Sequence, residues 1–466
     1  MPQPGAPDYP LRVAVIGSGP AGFYTADHLL KQQDLTVTVD MYDRLPTPYG
    51  LVRFGVAPDH EKIKNVTKVF DKVAAKDAFR FFGNVDIGRD VTLEQLTQHY
   101  HQICFATGAQ TDKRMGIPGE DLAGSHAATE FVAWYNGHPD FRDYDFDRSA
   151  EHVAVIGVGN VAVDVARILC RTFEELETTD IADYALDALR ESKVKKVYML
   201  GRRGPAQAAF TNPEVRELGE MPGADIDVRQ GEAKLDPLSQ AAVDEADDRT
   251  LFKKIEIIQS LAAQTPAGKP RKLILRFLVS PVELTGDDAG RVTSMRLVKN
   301  ELQSRNGRLG ARATDEFEDI PVDLVFRSVG YRGVPIAGLP FREDWGTVPH
   351  DEGRVTDKPG GEHIIGMYVA GWIKRGPTGV IGTNKPDASE TVAAMVADAA
   401  QGKLLTPADL SPEGADGLIR AHQPDLVSYE DWLRLNELET GKGRAQGRPR
   451  VKFTDVKEML AALRSD

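Results

Sequence analysis

Gly17-Ser18-Gly19-Pro20-Ala21-Gly22 has the spacing Gly-x-Gly-x-x-Gly, and it follows the apolar run Val13-Ala14-Val15-Ile16. Those residue types suit the holding of a phosphate, not covalent attack. Gly17 allows a tight turn out of a strand, Gly19 lets a pyrophosphate approach the backbone, and Gly22 lets a helix pack closely on the sheet. The helix that follows, expected over Phe23 to Leu30, offers N–H groups and a partial positive charge at its start. A dinucleotide site of this kind also needs an acid at the end of the second strand, to bind a ribose hydroxyl. The run Leu35 to Tyr42 reads as that strand, with Asp43 at its tip. Asp40 is the alternative, but it falls inside the strand.

A second copy follows. Val153-Ala154-Val155-Ile156 leads into Gly157-Val158-Gly159-Asn160-Val161-Ala162, where alanine takes the third glycine position. A helix is expected from Val163 to Cys170. Two such units predict two dinucleotides, most economically one flavin and one nicotinamide. After the second unit, the strand Lys196 to Leu200 ends in Gly201-Arg202-Arg203-Gly204. Arginines stand where an NAD site has its acid, which favours a 2′-phosphate and hence NADP. The bland alternative is two solvated surface arginines. Further on, Pro213 fits the first turn of a helix capped by Thr211 or Asn212. That helix sets Glu214 and Glu217 three apart on one face.

The elements that must position these groups read as an α/β protein. Its two dinucleotide-binding, Rossmann-like domains are expected at 1–110 with 331–466, and at 111–330. Residues Leu45 to His60 read as an ordered loop because of their prolines and glycines. Helix is expected from Lys62 to Ala75, strand from Phe79 to Ile87 and helix from Leu93 to Tyr100. Gln102 to Phe105 reads as a buried strand ending in a glycine turn. Glu174 to Arg190 reads as an acidic helical stretch, and Asp236 to Asp248 as an exposed acidic helix. Strands are expected at Leu273–Leu278, Val292–Val298 and Val322–Phe326. A strand over Gly366 to Ala370 leads to the loop Arg375 to Thr383, with a helix from Asp387 to Ala400 behind it. Pro407 to Gly447 reads as loop and short helix. Val456, Met459, Leu460 and Leu463 then form an apolar stripe for packing.

The chain has 466 residues, enough for two or three domains, and a net charge of −13, which argues against a general nucleic-acid binder. Its two cysteines, Cys104 and Cys170, are far apart. They cannot supply a disulfide framework, a CxxC redox pair or a four-cysteine cluster, and both read as inert core residues. No apolar run reaches membrane-spanning length. Met1 to Pro10 lacks the basic and apolar pattern of a targeting peptide, so a cytoplasmic protein without membrane insertion is expected.

With these blocks in view, the sequence closely resembles the adrenodoxin-reductase family of ferredoxin–NADP reductases, especially its bacterial branch. The matching blocks are GSGPAGFY at 17, TPYGLVRFGVAPDH at 47, FATGA at 105, GVGNVAVDVARIL at 157, GRRGPAQAAFT at 201, RSVGYRG at 327 and GWIKRGPTGVIGTNKPDA at 371. They span nearly the whole chain. The resemblance implies an FAD domain made from both ends of the chain, with an NADP domain inserted. It implies hydride transfer from NADPH to FAD and single electrons leaving to an iron–sulfur ferredoxin, with no metal ion needed. By position it places FAD at Gly17, Ala21, Asp43, Leu51, Ile87, Trp372, Gly379, Val380 and Ile381, beside the Gly19 and Gly22 that the glycine spacing already assigns to the first dinucleotide. The family usually has glutamate at Asp43. NADP falls to Val158, Gly159, Asn160, Val161, Arg202, Arg203, Glu214 and Gly379. His60 and Glu217 match positions near the flavin–nicotinamide junction; the alternatives are a locally satisfied loop histidine and a solvated helix face. Mitochondrial members carry a basic helix where this chain has the largely acidic Asp236 to Lys254, so those docking residues do not transfer. A monomer whose acidic ferredoxin docks on another, locally basic surface is expected. Competing readings are a flavin mono-oxygenase-like NADPH oxidase and a non-enzymatic FAD/NADPH-binding redox sensor. Reductases of the thioredoxin or glutathione type need a close cysteine pair, and the glutamate-synthase small subunit needs cluster cysteines; both are missing here.

Overall fold

The computed structural model describes residues 4–465. The first three residues of the Met1–Pro10 segment therefore lie outside the described residues. The chain divides into two compact units. The first comprises Met1–Val56, His60–Thr111 and Gly330–Asp466; the second comprises Ala57–Asp59 and Asp112–Val329.

In the first unit, Leu11–Ile16 is buried at all six positions. A strand hidden on both faces is what a parallel sheet covered by helices requires, and its β-branched residues suit it. It pairs in parallel with Val37–Tyr42 on one side and Gln102–Phe105 on the other, Ala14 facing Asp40 and Ile103. Phe79–Phe82 and His363–Val369 extend the sheet in parallel. Arg354–Thr356 and His350–Asp351 add an antiparallel edge, making seven strands. Strand order reverses beside Leu11–Ile16, so the turn after Ile16 lies at a topological switch point, where such sheets bind ligands. One core face carries Val13, Val15, Phe23, Met395, Trp432 and Leu435. The other carries Ala14, Ile16, Ile103, Phe105, Ile373 and Ile419.

The second unit repeats the plan. Its six strands run in the order Ser125–Ala127, Leu324–Arg327, His152–Ile156, Lys196–Leu200, Arg271–Arg276, Ala224–Val228. All pair in parallel. The switch point is again the strand before the glycine turn, here His152–Ile156. A separate antiparallel sheet joins Val279–Gly286, Val292–Arg305 and Arg308–Pro321.

Several elements differ from expectation. The Leu45 to His60 loop contains a short helix, Leu51–Phe54. The helix expected from Lys62 is two pieces, Glu61–Lys64 and Thr67–Ala74. Strand pairing past Phe82 is replaced by a turn at Asn84, whose φ is +61°. Glu174 to Arg190 holds two helices, Phe173–Leu176 and Asp183–Arg190. Arg308–Pro321 is a strand of 14 residues with little apolar alternation, formed because Val292–Arg305 offers it a ladder. Pro407 to Gly447 is not loop and short helix: it carries Pro412–His422 and the 17-residue helix Tyr429–Ala445. Gly441 and Gly443 argue locally against that helix. It forms because Ser428 and Asp431 make a capping box at its start and because it is packed: a Cβ on Gly443 would collide with Arg450. Among the described residues, no helix is long and apolar enough to cross a membrane.

Candidate dinucleotide sites

The first glycine turn has the geometry its sequence demands. Gly17 has φ +106°, and a Cβ there would lie 2.5 Å from the Ala106 carbonyl oxygen. A Cβ on Gly22 would collide with the Gly17 carbonyl oxygen, whereas one on Gly19 would meet nothing within 4 Å. The open space therefore lies where a pyrophosphate would come. Helix Pro20–Leu29 starts at Gly19 with no side-chain cap and no acid in its first turn. Its N-terminal field is left for an outside anion.

Asp43 reaches this turn. Its Oδ2 accepts from Ser18 N at 3.0 Å and from the Ser18 hydroxyl, and its Oδ1 accepts from Leu45 N at 3.0 Å. Asp40 is instead buried, bound by Arg12, Arg80 and Tyr100. The far end of the chain arrives through Gly371, whose φ is +80° and whose Cβ would lie 2.5 Å from Ala21 Cβ. Gly371 N donates to Asp387 Oδ2 at 2.5 Å. Trp372 Nε1 donates to the Thr378 carbonyl at 3.1 Å, and its ring lies 5.8 Å from that of Tyr331. Gly379 and Val380 are exposed and Ile381 half-buried, ahead of helix Asn384–Ala400. Leu51 is exposed and Ile87 buried.

The second turn repeats these features. Gly157 has φ +133°, and a Cβ there would collide with the Ser328 carbonyl; Gly159 again has nothing within 4 Å. Helix Asn160–Cys170 starts at Gly159 without a side-chain cap or a first-turn acid. The Val158 carbonyl accepts from Ala209 N and Phe210 N, at 2.9 and 3.1 Å. Asn160 Oδ1 accepts from Thr211 N at 2.9 Å. These bonds fix the start of helix Asn212–Glu217, with Thr211 at its N-cap. Val161 packs against the core as a half-buried residue.

Arg202 is exposed and Arg203 half-buried at the end of Lys196–Leu200. Burial, and then the like charge of Arg202, push Arg203 below its ordinary pKa. Two like charges side by side gain when a dianion arrives. Glu214 is buried. Glu217 is not a freely solvated face: its Oε2 lies 2.9 Å from Arg167 Nη1. Arg167 is fully buried and also pairs with Asp59 at 2.6 Å and Asp164 at 2.9 Å. Sequence reasoning missed Arg167, although its place three residues after Asp164 on the predicted helix was the available signal. It also missed Ser18 as the partner of Asp43. His60 belongs to the first unit, at the N-cap of Glu61–Lys64. Cys104 and Cys170 are free and buried, and burial pushes each thiol up to about 12, which suits inert core residues.

The two turns differ where it matters: one strand-end acid in the first unit, two strand-end arginines in the second. A carboxylate can accept from a ribose diol and two guanidinium groups can donate to a 2′-phosphate, so the two turns have the chemistry that a two-dinucleotide protein needs. Residues 11–202 match the family model described as pyridine nucleotide-disulphide oxidoreductase. The chain is 44% identical over 465 residues to NADPH-ferredoxin reductase FprA of Mycobacterium tuberculosis, covering 97% of this chain and 98% of that one. It is 40% identical over 467 residues to the mitochondrial NADPH:adrenodoxin oxidoreductase of Salvelinus fontinalis, covering 97% and 91%. The solved structure of Mycobacterium tuberculosis FprA in complex with NADPH matches with a TM-score of 0.91 at 43% identity, covering 98% of this chain and all of that one. The chain belongs to the adrenodoxin-reductase family of ferredoxin–NADP reductases. It is an oxidoreductase, and its cofactors are FAD and NADP.

Proposed function

We propose that this protein is an FAD-dependent NADPH–ferredoxin oxidoreductase, with FAD on the first unit and NADP on the second. The observation that carries the reading is the contrast between Asp43 at one glycine turn and Arg202 with Arg203 at the other. When bound, the two cofactors supply hydride transfer from nicotinamide to flavin and the release of electrons one at a time. The chain's own residues bind and orient. Gly17, Gly19, Ala21 and Gly22 cradle the FAD pyrophosphate, Asp43 takes its ribose, and Leu51, Ile87, Trp372 and Gly379 to Ile381 line the rest. Val158 to Val161, Arg202, Arg203, Glu214 and Gly379 hold NADP. His60 and Glu217 act at the hydride step by placing the nicotinamide or managing a proton, and Arg167 holds the Glu217 carboxylate in place. No nucleophile is required.

The partner is an acidic ferredoxin, met by clustered basic charge on a protein whose net charge is −13. We further read the protein as a cytoplasmic monomer without nucleic-acid binding; light scattering at the mass of one chain tests the monomer. The purified protein, given saturating NADPH, should reduce a ferredoxin and also ferricyanide. Ferredoxin reduction should fall as salt rises, since screening shortens electrostatic reach to about 8–10 Å. Ferricyanide reduction should not fall in parallel. Stoichiometric oxygen uptake with a small substrate would point to a mono-oxygenase, and binding without turnover to a sensor.

A further inference from the structure

Tyr49 holds a backbone conformation that residues with a side chain rarely adopt, φ +85°, and Gly50 follows at +49°. Such a turn persists only where its surroundings hold it. It rests on the first glycine turn. Tyr49 N donates to the Ser18 carbonyl at 3.0 Å. A Cβ on Gly50 would lie 3.0 Å from Gly19 Cα. Leu51, 44% exposed, comes next.

What holds the turn comes from Asp71 on helix Thr67–Ala74 and from the other end of the chain. The Tyr49 hydroxyl donates to Asp71 Oδ1 and lies 3.2 Å from the Tyr429 hydroxyl. It accepts from Trp432 Nε1 at 3.3 Å, and the two rings meet edge-on at 5.7 Å. Four residues on, buried Arg53 donates to Glu439 Oε2 at 2.8 Å and to Oε1 at 2.5 Å. Its guanidinium also lies over the Trp432 ring at 5.2 Å. Glu439 is fully buried and accepts further from Arg450 at 3.0 Å and from Phe453 N at 2.8 Å. Burial alone would raise the Glu439 pKa, but Arg53 and Arg450 hold it below its ordinary value, so the carboxylate is ionised. A buried ion pair contributes little to stability compared with an apolar replacement; its best-attested use is to fix one arrangement.

We infer that helix Tyr429–Ala445 is a clasp for the first dinucleotide: by gripping Tyr49 and Arg53 from behind, it keeps the Tyr49–Leu51 turn on the Gly17–Gly22 turn and sets how fast FAD leaves. Tyr49, Arg53, Tyr429, Trp432 and Glu439 are then positioning residues. The inference rests on the reading of the first glycine turn as the FAD site.

The test measures FAD release from the holoprotein by the rise in free-flavin fluorescence, alongside the thermal midpoint. Tyr49→Phe removes only the hydroxyl, and Glu439→Gln removes the charge facing Arg53. The control is Ile419→Ala, which opens a cavity in the core of the opposite sheet face. Both clasp variants should release FAD about tenfold faster than wild type, the effect of roughly one net hydrogen bond. Ile419→Ala should lower the midpoint yet keep the wild-type release rate. Wild-type release from Tyr49→Phe overturns the clasp, and so does equally fast release from Ile419→Ala, because destabilisation alone would then explain the effect. Should Glu439→Gln fail to fold, Tyr49→Phe still decides. A wild-type protein that binds no FAD overturns the site reading, and the clasp with it.

Discussion

Replacing both Arg202 and Arg203 by alanine removes two positive charges from the end of the Lys196–Leu200 strand. Burial and the neighbouring Arg202 lower the Arg203 pKa, so the pair sits in mutual repulsion that a 2′-phosphate would relieve. A hydrogen bond to a charged group contributes roughly 1.5–3 kcal/mol net. Exposed ion pairs contribute only about 0.2–1 kcal/mol. With Arg202 exposed and Arg203 half-buried, the two together should contribute about 2 kcal/mol to NADPH binding. That corresponds to a loss of roughly thirtyfold in affinity, and at least about tenfold. The assay is ferricyanide reduction with NADPH and with NADH, with the dissociation constant of NADP⁺ measured by titration of the oxidised protein. The NADPH KM should rise by that factor while the NADH KM stays within about twofold, since NADH lacks the group the arginines bind. A double variant that keeps its preference for NADPH would mean that the phosphate is bound elsewhere.

Three other perturbations address separate parts of the molecule. Gly159→Ala should fold with an unchanged thermal midpoint, because nothing lies within 4 Å of the new Cβ; it should bind NADP⁺ at least about tenfold more weakly while keeping FAD, since the Cβ fills the phosphate's approach. Retained affinity would show that this turn does not hold the pyrophosphate. His60→Gln and Glu217→Ala should each slow flavin reduction in stopped flow by about 10²-fold or less, the lower end of general acid–base effects, with FAD still bound; unchanged rates across pH would leave both residues structural. His101, 2% exposed, accepts from Arg12 N at 3.0 Å, and burial followed by Arg12 lowers its pKa to about 4. A lowered folded pKa means stability is complete above the unfolded value of about 6.5 and is lost as pH falls toward the folded one, at most on the order of 3.4 kcal/mol. Denaturant midpoints between those two pH values should show this slope in the wild type and a flatter one in His101→Gln.

Both glycine turns were legible because their requirements are local. A positive φ at Gly17 and Gly157, a close approach at Gly22 and a free approach at Gly19 and Gly159 are set by neighbours within a few residues or by the strand just left. The contrast between Asp43 and the Arg202–Arg203 pair was legible for the same reason: each falls at the end of a strand whose length the apolar run defines. Which acid serves the first turn needed the sheet. Asp40 and Asp43 are near neighbours in the chain, yet parallel pairing buries one among Arg12, Arg80 and Tyr100 and carries the other to Ser18. Composition could not show that Ala57–Asp59 folds with the second unit, where Asp59 meets Arg167, because those residues are separated by about a hundred positions. Nor could it show the Tyr429–Ala445 helix, whose two late glycines oppose it locally and whose packing on Tyr49 and Arg53 outweighs them. Local backbone chemistry determined the two glycine turns proposed as dinucleotide sites. Contacts between distant segments decided which charges face those sites and what holds their turns in place, because such contacts depend on chain closure rather than on any local run of residues.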